Sequence, residues 1–303
     1  MELSDNPLYS DIMIEWINEH KMRIMESTAY NYFQAIPYVQ QYFQGMHVKD
    51  IASEDVYEYV KYLKHSDLTI TSTRLYCKIV NMSLNYALKY HYIYYNPASD
   101  VSMPGRLRAE VRPFLESEIP LLLAVPGPEW VKDGIMIAFR TGMRPGEVYG
   151  LKWTDINFDQ RFISVQRAIS RANSKAILKP TKTAAGVRRV DIDSKLIAHL
   201  RAMQAETDGD FVFAGTQRSR YAYRVPWNVS RLLKEMCKRA GIPPRNFYSL
   251  RHTHATILLA HGVHPKIVQE RLGHSSISVT MEVYSHVAPT MQRDAVWVME
   301  DIS

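Results

Sequence analysis

Three helical runs follow one another between Ser249 and His286, and glycines stand at the breaks. The first runs from Ser249 to about His261 and ends at Gly262; the second opens on Pro265 and stops at Gly273. Proline suits the first turn of a helix, whose N–H has no intrahelical partner, and glycine suits the left-handed residue that ends one. The third run is capped by Ser276 or Ser278 and carries Val279, Glu282, Val283 and Tyr284. Short helices with glycine stops make tight corners, so this stretch can bring Arg251, His274 and Tyr284 to one place.

A guanidinium, an imidazole and a phenol together suit phosphate chemistry. Arginine stays charged, and its planar fork matches two phosphate oxygens. A phenol can attack phosphorus, but with a free pKa near ~10 it needs a base or neighbouring cations to do so at neutral pH. Alone, one arginine and one tyrosine have little weight, and His252, His254, His261, His264 and His286 read equally well as packed or solvated side chains. A second arginine strengthens the pattern. In Thr141-Gly-Met-Arg-Pro-Gly-Glu147, Arg144 follows a helix stop at Gly142, and Pro145-Gly146-Glu147 begins the next helix.

These segments resemble the sequence boxes of the tyrosine recombinases of the phage-integrase family. Thr141–Glu147 resembles the first box, Leu250-Arg-His-Thr-His-Ala-Thr256 the second, and Leu272-Gly-His-Ser-Ser276 with Thr280 and Tyr284-Ser-His286 the third. Each box is short, but three in order and at the right spacing are specific.

Two cores fit a 303-residue chain that is 46% hydrophobic. Cys77 and Cys237 lie far apart in helical stretches, which argues against a disulfide framework or a metal knuckle. The start lacks a signal-peptide pattern and no apolar run would span a bilayer, so a cytoplasmic protein without membrane contact is expected. The net charge of +6 is unevenly spread: up to Met103 there are 8 Lys+Arg against 12 Asp+Glu, and beyond it 29 against 19. A basic C-terminal half points to a polyanionic partner.

The expected fold is an all-α N-terminal helical bundle joined to a mixed α+β, mainly helical domain with a small β-hairpin or sheet. The bundle occupies residues 1–103, a basic Pro/Gly linker 104–113, and the catalytic domain 114–303. In the bundle, Ile12, Ile14, Trp16 and Ile17 open one helix; Ser27-Thr28 caps a second with Tyr30, Phe33, Tyr38, Val39 and Tyr42, where Pro37 can introduce a kink. Ser53 caps a third that buries Val56, Tyr59, Val60 and Leu63. The fourth, Ser72 to about Tyr94, sets an apolar stripe of Leu75, Ile79, Met82 and Tyr86 beside a polar one of Arg74, Lys78, Asn81, Asn85 and Lys89. Such a polar stripe is either a solvated face or a set of phosphate and base contacts, and the resemblance favours DNA. Arg106 and Arg108 in the linker join the expected DNA contacts. Beyond it, helices are expected from Ser117 to Leu123 and from Trp130 to Phe139. The pattern then alternates as strands over Arg161–Ile169, Ala176–Pro180 and Val187–Ile192, before helices at Ser194–Gln204 and Trp227–Ala240.

The resemblance implies a mechanism. Tyr284 is the nucleophile that forms a 3′-phosphotyrosyl link and frees a 5′ hydroxyl; Arg144 and Arg251 hold the non-bridging oxygens; Glu147 orients these cations; His274 bonds the phosphate or takes the phenolic proton. Lys182 matches the family's hairpin general acid, with Lys175 and Lys179 as rivals. Where the family commonly has histidine three residues before its second arginine, this chain has Tyr248, a hydrogen-bond donor but a poor base. Rejoining should need no cofactor, ATP or metal.

Double-stranded DNA is the implied partner, with a monomer when free and a homo-tetramer on DNA. The tail Met291–Met299 would dock on a neighbouring protomer, and a DNA-bending or directionality factor can join. The stretch from Val268–Ser276 through Met291-Gln-Arg293 most resembles integrases of phages and conjugative elements of Gram-positive bacteria, and no arm-binding domain is expected before Ser10. Competing readings are a Xer-like resolvase, a binding-only regulator of the same fold, and a metal-dependent nuclease built on His252, His254 and His274.

Overall fold

The structure is a computed structural model that describes residues 6–102, 105, 112–172, 175–181, 186–217 and 219–281. Two compact units divide the chain, one holding Met1–Ala109 with Ala172–Ser174 and the other Glu110–Arg171 with Lys175–Ser303.

The first unit is helical: α1 (Tyr9–His20), α2 (Glu26–Tyr42), α3 (Ser53–His65) and α4 (Ile70–Lys89). Local chemistry sets the ends. Asp55 accepts the Ala52 N–H at 2.8 Å to start α3, where the acidic first turn also suits the helix dipole. Thr69, not Ser72, caps α4, its hydroxyl accepting the Ser72 N–H at 3.2 Å. The helix stops at Lys89, and His91 turns left-handed at φ 61°. Pro37 is held inside α2.

Val56, Tyr59, Val60 and Leu63 are buried, as the pattern predicts. Two other faces differ from expectation. On α2, Phe33 and Tyr38 are exposed while Ala29, Tyr32, Ala35, Ile36 and Val39 are buried. On α4, Tyr76, Val80, Leu84 and Ala87 join Ile79 inside, whereas Leu75, Met82 and Tyr86 are only half-buried. α4 packs against α1, α2 and α3, so its buried arc is wide enough to take in Ser83, whose hydroxyl meets that of Tyr9 at 2.7 Å.

The second unit runs α5 (Glu118–Ala124), α6 (Glu129–Thr141), α7 (Pro145–Tyr149), β1 (Ile156–Asn157), β2 (Phe162–Val165), β3 (Arg167–Ala172), β4 (Lys175–Pro180), β5 (Arg188–Asp191), α8 (Ser194–Ala205), α9 (Val229–Arg239), α10 (Tyr248–Ala260) and α11 (Pro265–Leu272). The strand expected over Arg161–Ile169 breaks at Gln166, whose carbonyl accepts the Thr181 N–H at 3.1 Å. Its halves enter different sheets: an antiparallel β1-β2-β5 sheet and a two-stranded β3-β4 sheet. In the first, Ile163 faces Val190 and Val165 faces Arg188, so Arg188 lies on the same inward face as Val190.

The core gathers Val131, Ile135 and Ala138 of α6 with Ile163, Val165, Val190, Leu233 and Leu250, all below one-tenth exposed. Each valine, isoleucine or leucine among them contributes roughly 1.5–3 kcal/mol when fully buried. α10 packs on α6. The Phe114 N–H donates to Thr253 Oγ1 at 2.7 Å, and Glu118 pairs with Arg245 at 3.0 Å, fastening the start of the unit to the region of α10.

Candidate active site

α6 ends where Gly142 turns left-handed at φ 70°. Only glycine fits this position: a Cβ would lie 2.4 Å from Leu272 Cδ2 and 2.7 Å from His254 Cδ2. The corner therefore packs directly on α10 and α11. The backbone next extends at Arg144, the N-cap of α7, and the Glu147 carboxylate reaches back to the Arg144 N–H at 2.8 Å. Arg144 Nη1 donates to the same carboxylate at 2.8 Å and Nη2 donates to the Gly273 carbonyl at 3.3 Å.

Glu147 is fully enclosed, and a second cation meets it there. Arg188 of β5 donates from Nη1 and Nη2 to its two oxygens at 3.1 and 2.9 Å, and from Nε to the Arg271 carbonyl at 2.8 Å. Burial pushes the Glu147 pKa up, but the bonds and charge of Arg188, with Arg144, outweigh it and hold the carboxyl below its usual range. Arg188 thus ties the sheet to α7 and to the end of α11. In the sequence Arg188 is only one residue of an alternating strand; its signal is a charge at an inward strand position, visible only once register is known.

Arg251, on α10, is 2% exposed. Its Nη1 donates to the Gly142 carbonyl at 2.9 Å, while Nε and Nη2 are buried and have no hydrogen-bond partner among the described residues. Desolvation, then the neighbouring Arg144 charge, lowers its pKa to about 10, so it remains a cation at neutral pH. Buried donors without partners cost stability, and such groups in a folded protein call for a ligand.

His274 follows the left-handed Gly273, and its N–H returns to the Gln269 carbonyl at 3.1 Å. Its Nδ1 meets Thr280 Oγ1 at 2.9 Å. Burial first, then Arg251 and Arg144, depress its pKa to about 3, so the ring is neutral. His254 serves the scaffold: Nδ1 bonds the Phe139 carbonyl at 2.8 Å and Nε2 accepts from Arg271 Nε at 2.9 Å, which commits both nitrogens. Arg271 also donates to the carbonyls of Asp191 and Arg140 at 2.9 and 3.2 Å. The ligand set imagined for a nuclease is therefore not available at His254. Among the described residues, no group of three or more His, Cys, Asp or Glu side chains could hold a metal ion.

Tyr248 begins α10, is 38% exposed, and sets its ring edge-on to His252 at 5.2 Å. Lys175 is exposed at the start of β4 and Lys179 is half-buried near its end. Lys182, Tyr284, Arg106, Arg108 and the tail Met291–Met299 lie outside the described residues. Of the α4 stripe, Arg74, Lys78, Asn85 and Lys89 are exposed and Asn81 is half-buried. Lys78 lies over the Tyr32 ring at 5.5 Å, and Lys89 meets Glu19 at 3.2 Å.

Two arginines, one with buried donors unpaired among the described residues, beside a neutral imidazole on a mainly helical domain suit the binding of an anionic group. Residues 114–291 match the phage integrase family and residues 8–64 match the phage integrase N-terminal SAM-like domain. The chain belongs to this family, the tyrosine recombinases, enzymes that cleave and rejoin DNA.

A tyrosine recombinase from Thermosipho africanus is 31% identical over 300 residues, covering 94% of this chain and 99% of its own length. A XerC-like tyrosine recombinase from Caldanaerobacter subterraneus subsp. tengcongensis is 30% identical, covering 85% of this chain and 73% of its own. The ICEBs1 integrase of Bacillus subtilis is 24% identical, covering 90% and 78%. Among solved structures, the Tn1549 transposon integrase in complex with a circular intermediate DNA has the same fold, with a TM-score of 0.81 at 18% identity over 95% of this chain and 99% of that one. A lambda integrase tetramer bound to a Holliday junction gives 0.71 at 19% identity over 93% and 78%. Among the described residues, no helix is long and apolar enough to cross a membrane.

Proposed function

We propose that this recombinase integrates and excises a mobile element, using Arg144 and Arg251 as a clamp on the scissile phosphate. The clamp rests above all on Arg251, whose Nε and Nη2 are buried and, among the described residues, unpartnered beside Arg144 and His274. A phosphate placed there would satisfy both donors, and the bonds strengthen as charge builds on its non-bridging oxygens. Tyr284 attacks phosphorus, the bond to the 5′ oxygen breaks, and Lys182 protonates that oxygen; the liberated 5′ hydroxyl or its counterpart on a second duplex later reverses the step. His274, neutral and held by Thr280, hydrogen-bonds the phosphate or takes the phenolic proton. Glu147 orients Arg144, and Tyr248, which begins the Arg251 helix, donates to phosphate rather than acting as a base.

Residues 1–103 form the core-binding domain, 104–113 the linker, with Arg106 and Arg108, and 114–303 the catalytic domain. The α4 face of Arg74, Lys78, Asn81, Asn85 and Lys89 lies on double-stranded DNA. The protein is a monomer when free and a tetramer on DNA, with the C-terminal tail docking between protomers and a DNA-bending or directionality factor joining in the cell. Similarity to the ICEBs1 integrase supports a mobile element, and similarity to a XerC-like recombinase supports a second reading, resolution of chromosome or plasmid dimers.

Sequencing new DNA junctions after induced expression separates the two. Junctions that join element ends to a chromosomal target are expected. Junctions confined to sister copies of one locus would make the protein a resolvase, and none above the Tyr284→Phe background would overturn both.

A further inference from the structure

Asn96 lies at the end of the helical unit, 3% exposed, against the polar face of α4. Its Oδ1 accepts the Ala98 N–H at 2.9 Å. A backbone N–H can only donate, so this contact fixes which end of the amide is oxygen. The Asn96 Nδ2 then faces α4, donating to the Asn81 carbonyl at 3.2 Å and to the Oδ1 atoms of Asn81 and Asn85, each at 2.9 Å. The Asn81 carbonyl can only accept and confirms the assignment from the other side. Both α4 amides therefore turn their oxygens inward, and the edge that exposed Asn85 presents to solvent is its NH2 group.

The neighbours on that stripe, Arg74, Lys78 and Lys89, also carry only donors. We infer that Asn96 is a positioning residue that makes α4 a donor-only reading face, suited to phosphates and to guanine or thymine acceptor edges, and closed to the two-bond asparagine–adenine pair. That pair needs the amide oxygen free to accept from adenine N6 while the NH2 donates to N7. Guanine N7 and O6 and thymine O4, by contrast, are acceptors in the major groove. The inference rests on the proposed placement of α4 on double-stranded DNA.

Selection of bound duplexes from a random-sequence pool, with the full chain and with N96D and N85D, tests it. In N96D the buried group has oxygens only, so the amide of Asn85 must turn over to donate inward and expose its oxygen; N85D exposes oxygen directly while keeping an oxygen to accept from Asn96 Nδ2, should N96D fold poorly. The parent is expected to select guanine or thymine at the α4 positions. N85D, and N96D if its thermal midpoint stays near the parent's, should trade them for adenine or cytosine, whose amino groups donate, with a change of roughly tenfold or more in relative enrichment. Parent selection of adenine at the Asn85 position, or unchanged preferences in N85D, overturns the inference. Lys78→Glu isolates the underlying placement: unchanged affinity would mean α4 is not on DNA and both that placement and the inference fall, whereas weakened binding in Lys78→Glu together with unchanged base preference in N85D would remove only the role of Asn96.

Discussion

Replacing Arg188 by methionine removes a strand-borne cation from Glu147 while keeping much of the aliphatic stem. In the native unit these side chains are 5% and 3% exposed and share bonds of 2.9 and 3.1 Å. Removing one partner of a buried ion pair costs ~3–5 kcal/mol, because the remaining charge stays desolvated. Arg144 still lies 2.8 Å from the carboxylate, so the lower end, about 3 kcal/mol, is expected. In a unit of this size 1 kcal/mol moves Tm by roughly 2–4 °C, which gives a fall of about 6–12 °C. The pH dependence is a second readout. Glu147 is depressed in the native state, so its contribution is complete above the unfolded carboxyl value near ~4.3 and disappears as pH falls through the native one. Without Arg188, burial prevails, the carboxyl titrates higher, and acid destabilisation begins at higher pH. Thermal unfolding followed by circular dichroism across pH 4–8 measures both. A midpoint within ~2 °C of the parent's, with an unmoved acid limb, would refute this account of the pair.

Arg251→Met should leave the thermal midpoint unchanged or raise it, since it removes a buried cation with two unpartnered donors, while strand cleavage falls by ~10²–10³; a large loss of stability would show Arg251 to be structural. Gly142→Ala puts a side chain at φ 70° against Leu272 and His254 and should cost at least ~1–3 kcal/mol together with cleavage activity, read from denaturant unfolding and adduct yield. His274 is neutral in the fold with a pKa near 3, below its unfolded value of ~6.5, so its share of stability is lost as pH falls below ~6.5; H274N should flatten that slope, and an unchanged slope would contradict the burial.

The corners of the site were legible because they are made by local chemistry. Gly142, Gly273 and Pro265 announce their backbone states in sequence, and they place Arg144 and His274. The supports were not legible because they depend on register and packing. Arg188 reaches Glu147 only through the pairing of β5 with β2, and Arg271 reaches His254 from 17 positions further along the chain. Gln166 splits a sequence that alternates without interruption, because a tertiary bond to Thr181 diverts it. On α4 the polar stripe was read correctly as a face, but the amides of Asn81 and Asn85 belong partly to Asn96, a contact that side-chain periodicity does not encode.

The central claim, cleavage through Tyr284 at a phosphate held by Arg144 and Arg251, is most directly tested by covalent capture. The protein and Tyr284→Phe are incubated in chelator with fragmented DNA of the host genome, quenched with detergent, and the DNA that remains attached to protein is sequenced. Adducts in the parent are expected to cluster at one sequence and to vanish in Tyr284→Phe. Adducts that persist in Tyr284→Phe would contradict the assignment of the nucleophile, and adducts that form only when a divalent metal replaces the chelator would contradict the chemistry.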